Sequence, residues 1–107
     1  MDVGVTTGNP VIAVSGEIDL ASAESFRTAL RPWVETGGPV TVDLSRVTFM
    51  DSTGIHAVIE AAEALGDRGC IIIHGAHDGI QKVFELTMLD SVPNVHIIPC
   101  TVLVGAV

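Results

Sequence analysis

Hydrophobic and polar residues alternate with two different periods along this chain, and the change of period predicts its secondary structure. Apolar residues at every second position predict short strands at residues 3–5 and Val11–Ile18, joined through the turn-forming sequence TGNP at 7–10. Further along, apolar residues recur every three or four positions, which predicts amphipathic helices. These segments alternate with short apolar runs. The predicted order is therefore β-β-α-β-α-β-α-β.

Each predicted helix has an apolar face and a candidate cap. The first begins after Asp19, and Pro32 should kink or tighten its last turn. Its apolar face is predicted at Leu20, Ala23, Phe26, Leu30 and Val34. The second helix ends at Gly66, with Ile55, Val58, Ile59, Ala62 and Leu65 on one face. The third is capped by Asp78, with Ile80, Val83, Phe84 and Thr87 facing inward.

The remaining apolar runs predict strands at 40–44, 70–74 and Val95–Ile98, and a further strand or tail at 102–104. The run at 70–74 is continuous, which favours a strand covered on both faces. Residues 45–51 are predicted to form a loop. Strands that alternate with helices indicate a parallel sheet with right-handed crossovers. The fold class is therefore α/β, with a mixed, mostly parallel sheet that includes an N-terminal hairpin.

Composition limits the classes of function. The 107 residues are 48% hydrophobic, which predicts one domain over 1–107 with its own core. Five basic against 13 acidic residues give a net charge of −8. This charge argues against nucleic-acid binding and against a basic membrane anchor, and it favours basic partners. With no long apolar run and no signal peptide in the sequence, we expect a cytosolic protein. Its two cysteines are expected to be reduced and structural.

The most unusual segment is FMDSTGI at residues 49–55, between a loop and a helix. Asp51, Ser52 and Thr53 are all good caps, and a helix N-terminus presents free N–H groups that accommodate a phosphate. Gly54 is a poor helix former, which suggests that a second chain approaches the backbone there. The alternative from the residues alone is a helix cap with a loose first turn.

Three motifs in this order resemble the STAS domain, the family of bacterial anti-anti-sigma factors and of sulphate-transporter cytoplasmic domains. They are GEID at 16–19, VDLS at 42–45 and the segment at 49–55. The resemblance extends along nearly the whole chain. The third motif looks like the family's phosphorylation loop, and it stands at the corresponding place in the order of elements.

The resemblance implies an anti-sigma factor antagonist that is not an enzyme and needs no cofactor or metal. Its partner is an anti-sigma factor that is also a serine kinase of the histidine-kinase-like ATPase type. The unphosphorylated form binds this partner and frees the sigma factor; phosphorylation of Ser52 ends binding, and a PP2C-type phosphatase resets the switch. Four further positions match the docking surface: Asp19, Asp51, Thr53 and Gly54. His56 is a departure, because the family commonly has a small residue there, and it affects partner choice or is simply solvated.

Two enzymatic readings of the same segment are weaker. The sequence DSTG at 51–54 resembles an aspartic protease signature, but one residue too many separates Asp51 from Gly54. A serine hydrolase built on Ser52 lacks a Gly-x-Ser-x-Gly elbow. A nucleotide-binding role is also disfavoured, because the chain has no phosphate-binding loop motif.

A metal site is a further alternative. His74 and His77 are separated by two residues, and His96 and Cys100 by three, which are spacings found among metal ligands. Cys70 could supply an additional ligand. Surface and strand-end histidines are the commoner explanation of this pattern.

The main alternative to a sigma-factor switch is a scaffold. A STAS domain can serve as a stressosome-type interaction module without a direct sigma-factor circuit. Phosphorylation of Ser52 by a cognate kinase distinguishes the two.

Overall fold

A five-stranded sheet with its strands in sequential order forms the frame of the protein. The structure is a computed structural model that describes residues 1–5 and 11–98. The strands are β1 (Asp2–Val5), β2 (Val11–Ile18), β3 (Gly38–Met50), β4 (Gly69–His74) and β5 (Val95–Ile98). β1 pairs antiparallel with β2, and every other pair is parallel. The predicted mixed sheet with its N-terminal hairpin is confirmed; the segment 102–104 lies outside the described residues.

Within residues 11–98, three α-helices connect the parallel strands: α1 (Ala23–Thr36), α2 (Ser52–Leu65) and α3 (Asp78–Thr87). Each crossover leads to the next strand in the same direction, so the usual right-handed connection places all three helices on one face of the sheet. Arg27 of α1 donates from Nε to Glu60 Oε2 of α2 at 2.9 Å. Within residues 1–5 and 11–98, no helix is long and apolar enough to cross a membrane.

The core lies between the helices and one face of the sheet. In β4, Ile71 and Ile73 are buried, whereas Cys70, Ile72 and His74 are half-buried. The expectation that this strand is covered on both faces is therefore wrong for the described part of the chain. The prediction rested on a continuous apolar sequence, but Cys70 and Ile72, although apolar, lie on the face of the sheet without helices.

β3 is much longer than predicted, because residues 45–50 continue the strand instead of forming a loop. Two irregularities in its pairing with β2, after Ala13 and after Gly16, each accommodate one extra residue of β3. These bulges break the simple alternation that marks a strand. They bring Met50 into register with Ile18, so the two strands end side by side.

Two predicted helix caps are wrong. Asp19 accepts a hydrogen bond from Ser22 N–H at 3.1 Å and closes a turn, so α1 begins only after Ser22. Leu20, predicted to face inward, is exposed on this turn. The cap of α3 is His77 rather than Asp78, which is the first helical residue.

Most predicted inward residues of the helices are buried or half-buried. Thr87 is an exception: it is exposed, and its hydroxyl donates to the Val83 carbonyl at 2.7 Å. A β-branched polar residue in the last turn can satisfy its hydroxyl on its own helix. α1 continues through Pro32 to Thr36.

Candidate functional site

The junction of β3 and α2 places Ser52 at the carboxyl edge of the sheet. β3 ends at Met50, Asp51 is the N-cap of α2, and Ser52 is its first helical residue. The Asp51 N–H donates to the Ile18 carbonyl at 3.1 Å, which ties the junction to the end of β2. The Ser52 side chain is exposed to solvent. A hydroxyl is thus presented at the positive end of a helix dipole.

The Asp51 carboxylate is held by the first turn of its own helix. Its Oδ1 accepts the Thr53 N–H at 2.9 Å and also a hydrogen bond from the Thr53 hydroxyl. The bond from the Thr53 side chain lowers the pKa of Asp51 below its usual value, against the opposing effect of burial; the N–H groups of Thr53 and Gly54 act in the same direction. Asp51 is therefore ionised at neutral pH. The sequence-based expectation that this segment caps a helix is confirmed.

The two neighbouring hydroxyls differ in their availability. Ser52 is exposed, whereas Thr53 is half-buried and its hydroxyl donates to Asp51. A phosphate on Thr53 requires that this bond break, while a phosphate on Ser52 disturbs none of the bonds that hold the cap. The geometry therefore distinguishes Ser52 from Thr53, two neighbouring hydroxyls that are both good helix caps by residue type.

Packing within the chain explains why residue 54 is glycine. It is buried, and a Cβ atom there lies 2.7 Å from Ile18 Cγ2 and 3.0 Å from Met50 Cε. The close approach that excludes a side chain is made by β2 and β3, so packing within the chain is sufficient to explain the glycine. Glycine at this position allows the start of α2 to pack directly on the strand ends. Contact between Gly54 and a partner stays a prediction.

Asp19 and His56 flank the junction from two sides. Asp19 and Ser22 bond reciprocally, since the Asp19 N–H also donates to Ser22 Oγ at 3.0 Å. This fixes the turn that follows Ile18, beside the end of β3. His56 is exposed on α2, four residues after Ser52 and therefore one turn along the same face. Ser52, Asp51, Thr53 and Asp19 thus belong to one end of the molecule, with His56 next to it.

Comparison with known proteins assigns this arrangement to a family. The family profile described as "Mlab, STAS domain" matches residues 1–99. The chain belongs to the STAS domain family. Among curated proteins, this STAS domain is 34% identical over 83 residues to the anti-sigma-B factor antagonist of Listeria monocytogenes, covering 76% of this chain and 73% of that protein.

Solved structures agree with the fold of this STAS domain. An anti-sigma factor antagonist from Mycobacterium paratuberculosis superposes with a TM-score of 0.79 at 26% identity, covering 89% of this chain and 84% of the other. The phosphorylated form of the Bacillus cell fate determinant SpoIIAA superposes with a TM-score of 0.65 at 20% identity, covering 98% of each chain. The latter likeness concerns the fold.

The histidines of this STAS domain have separate surroundings. His77 Nδ1 accepts the Gly79 N–H at 3.0 Å, and its Nε2 lies 3.4 Å from the Thr48 carbonyl oxygen. His74 Nδ1 lies 3.9 Å from Asp43 Oδ1. In the part of the chain that the structure describes, no three His, Cys, Asp or Glu side chains form a cluster suited to a metal. Cys100, one of the ligands considered, lies outside that part.

Two residues at this end of the STAS domain are not indicated by the sequence patterns. Leu20 fits a helical period and Phe49 fits a predicted loop, yet both are exposed apolar side chains beside the β3–α2 junction. The sequence offers no clear signal for Leu20, because capping residues three positions apart, such as Asp19 and Ser22, also mark the first turn of a helix.

Proposed function

We propose that this chain is an anti-sigma factor antagonist whose binding is switched off by phosphorylation of Ser52. The observation that carries the proposal is the exposed Ser52 hydroxyl at the first position of α2, next to a Thr53 hydroxyl that is engaged by Asp51. The names of the relatives support the antagonist role. A protein of this fold exists in a phosphorylated form, so the fold is compatible with phosphorylation.

In this proposal the chain is a binding module and a kinase substrate, and it catalyses no reaction. The unphosphorylated form binds an anti-sigma factor that is also a serine kinase of the histidine-kinase-like ATPase type, and the sigma factor is released. A PP2C-type phosphatase removes the phosphate and restores binding. The circuit operates in the cytosol and requires no cofactor bound to this chain.

Charge explains how the modification ends binding. A phosphate adds about −1.5 to −2 charge at pH 7. It joins Asp51, whose lowered pKa keeps it ionised, and Asp19 on the neighbouring turn. Cations of the partner that already pair with Asp19 and Asp51 leave the phosphate without a matching cation on docking, and stranding its charge typically costs about 2–5 kcal/mol. The affinity is then expected to fall roughly 30- to 5,000-fold.

The test is a titration of four forms of the protein against purified anti-sigma factors from its own organism, by calorimetry with ADP present. We expect wild type and Ser52→Ala to bind with about equal affinity, Ser52→Asp more weakly, and phosphorylated protein most weakly. Ser52→Asp carries one charge on a shorter arm, which explains its intermediate place. Equal affinity of phosphorylated and unmodified protein contradicts release by charge and favours the scaffold function.

The position of the phosphate is tested separately by peptide mapping after treatment with kinase and ATP. We expect modification of Ser52 in the wild type and none in Ser52→Ala. Thr53→Val is the matched control, since it removes the neighbouring hydroxyl and leaves Ser52 in place. A phosphate found only on Thr53 or Ser45 contradicts the assignment.

A further inference from the structure

Two large apolar side chains are exposed beside the Ser52 junction. Leu20 is 79% exposed and Phe49 is 47% exposed. Glu17 pairs with Phe49 and Ile18 with Met50, so Leu20 and Phe49 belong to neighbouring strand ends. Strand spacing and chain geometry keep their Cα atoms within about 16 Å of each other. Burying such side chains removes apolar area from water, so they are suited to contact with another molecule.

Hydrogen bonds fix the backbone that carries both side chains. Leu20 stands on the turn closed by the reciprocal hydrogen bonds of Asp19 and Ser22, whose Oγ also donates to the Glu17 carbonyl at 2.9 Å. Phe49 lies in a paired strand, next to Thr48, whose hydroxyl donates to the Gly16 carbonyl at 3.3 Å. A surface that is already ordered loses little conformational entropy when it binds. This distinguishes these two residues from apolar side chains on a loose loop.

The charges around this pair define the chemistry of a partner. Glu17, Asp19 and Asp51 lie at the same end of the sheet, and the chain carries a net charge of −8. The pKa of Asp51 is lowered, so its charge persists at neutral pH. Two exposed apolar side chains among acidic neighbours are complementary to an apolar surface bordered by lysine or arginine.

We propose that Leu20 and Phe49 are the apolar anchor through which this chain docks on its anti-sigma factor, which offers an apolar pocket with a basic border. This inference rests on the proposed function and adds the residues that supply affinity. The anchor and the switch act separately: phosphorylation of Ser52 changes the charge at the border, whereas the apolar contact is the same in both states.

The experiment measures binding of Leu20→Ser and Phe49→Ser to the purified anti-sigma factor that binds the wild type in the titration above. Leu86→Ser is the matched control. Leu86 is 84% exposed, but it stands near the end of α3, which starts beside Thr48 and runs away from this edge of the sheet. We expect each anchor variant to raise Kd about tenfold or more, as truncation of a central apolar contact does. The control should stay within twofold.

Salt separates the anchor from the charged border. Between about 50 and 500 mM NaCl, Kd of the wild type should rise, because added salt screens exposed charges. The ratio of Kd for Leu20→Ser to Kd for wild type should stay within twofold over the same range. A ratio that falls to one at high salt shows that Leu20 acts through the charged border, and it overturns the anchor.

The outcomes distinguish the anchor from the proposed function. If no anti-sigma factor binds the wild type, the proposed function fails and the anchor with it. If the wild type binds and Leu20→Ser binds equally well, the anchor alone is wrong. Phe49 is less exposed than Leu20 and lies within a paired strand, so its variant counts only when its melting temperature matches the wild type. Leu20, being mostly exposed, decides the question in either case.

Discussion

The starts of α2 and α3 are built on the same plan but differ in chemistry. Each helix follows a parallel strand, and each has a capping side chain that accepts the N–H two residues later. Asp51 Oδ1 accepts from Thr53 N at 2.9 Å, and His77 Nδ1 accepts from Gly79 N at 3.0 Å. One cap is an ionised carboxylate and the other is an imidazole nitrogen that must be unprotonated to accept. The same backbone arrangement therefore tolerates very different side chains.

The first helical residues carry the functional difference. α3 begins with Asp78, a fixed negative charge, and has Lys82 four residues later. α2 begins with Ser52, which is neutral until it is modified, and has His56 at the equivalent position. Negative charge at a helix N-terminus is favourable. The comparison indicates that a phosphate on Ser52 gives α2 the charge pattern that α3 has permanently.

The third difference between the two helix starts is packing. Gly54 is buried against Ile18 and Met50, whereas Gly79 is exposed. The backbone at the start of α2 therefore packs directly on the strand ends, whereas the first turn of α3 is anchored by the buried Ile80 side chain together with the His77 cap. A docking site benefits from the fixed arrangement, because the position of Ser52 relative to the strand ends is then constant.

The largest expected effect is that of Gly54→Ala, compared with Gly79→Ala. A Cβ at Gly54 lies 2.7 Å from Ile18 Cγ2, so the core must shift; at Gly79 the nearest atom is His77 Cε1 at 3.0 Å, on an exposed side chain. We expect Gly54→Ala to lose about 1–2 kcal/mol of unfolding free energy through overpacking, and Gly79→Ala to change it by about 0.5 kcal/mol or less. Urea denaturation of both variants measures this. Equal effects contradict the difference in packing.

The next effect concerns the caps. Asp51→Ala should lose about 1 kcal/mol at pH 7, and His77→Ala about 1 kcal/mol or less. The folded-state pKa of Asp51 is lowered from an ordinary value of 3.8, so its contribution to stability is present above pH 3.8 and is lost as pH falls through the folded value. The difference between wild type and Asp51→Ala should therefore shrink below that pH. Denaturation curves at pH 7 and in a pH series below 4 measure it; a difference that is constant with pH shows that hydrogen bonding does not stabilise the charged form.

The order of helices and strands could be predicted because burial of one face gives each element a clear spacing of hydrophobic residues. In α1, Ala23, Phe26, Leu30 and Val34 all face the core, as their spacing indicates. Gly66 ends α2 as predicted, and Asp51 is the N-cap among the three candidate capping residues at 51–53, since capping residues and a terminal glycine at positive φ are local signals. The family resemblance then gave the place of Ser52 in that order.

The remaining features depend on contacts that the sequence does not display. The extension of β3 through residues 45–50 depends on bulges opposite β2, which disturb alternation. Position 54 requires glycine because Ile18, which is 36 positions earlier in the chain, packs closely against it. The capping role of His77 was missed because Asp78 is the stronger capping residue by type. In the first two cases a tertiary contact determines what a local pattern leaves open.

A smaller effect is expected when the first residue of α2 gains a negative charge and the first residue of α3 loses one. In Ser52→Asp, the helix dipole favours the new charge by about 0.3–1 kcal/mol, and repulsion from Asp51 opposes it at a similar scale. The melting temperature should then change by only a few degrees, since 1 kcal/mol corresponds to about 4–8 °C in a domain of this size. Asp78→Ser should lose about 0.3–1 kcal/mol, because the cap of α3 supplies no opposing negative charge. A fall above about 8 °C in Ser52→Asp contradicts the view that α2 accepts charge as α3 does.

The smallest expected effect tests whether His56 supports a phosphate on Ser52 as Lys82 is placed to support Asp78. Helical side chains lean toward the N-terminus, so the exposed His56 lies over the turn that carries Ser52. Histidine is partly protonated near pH 6, where the second ionisation of phosphoserine also occurs. An attractive pair at this spacing is worth about 0.2–0.5 kcal/mol, which lowers the titration midpoint of the phosphate by about 0.15–0.35 pH units.

The measurement for His56 is a ³¹P NMR titration of protein with phosphoserine incorporated at position 52 during translation, so no kinase is needed. His56→Gln is the matched variant, because it keeps a polar side chain of similar reach but cannot become charged. We expect the phosphate midpoint of the wild type to lie below that of His56→Gln, and the difference to diminish as salt rises, because both groups are exposed. Identical midpoints at low salt show that His56 is only solvated. In that case α2 can carry a phosphate at Ser52, but His56 does not act as the cation that Lys82 provides at the equivalent position of α3.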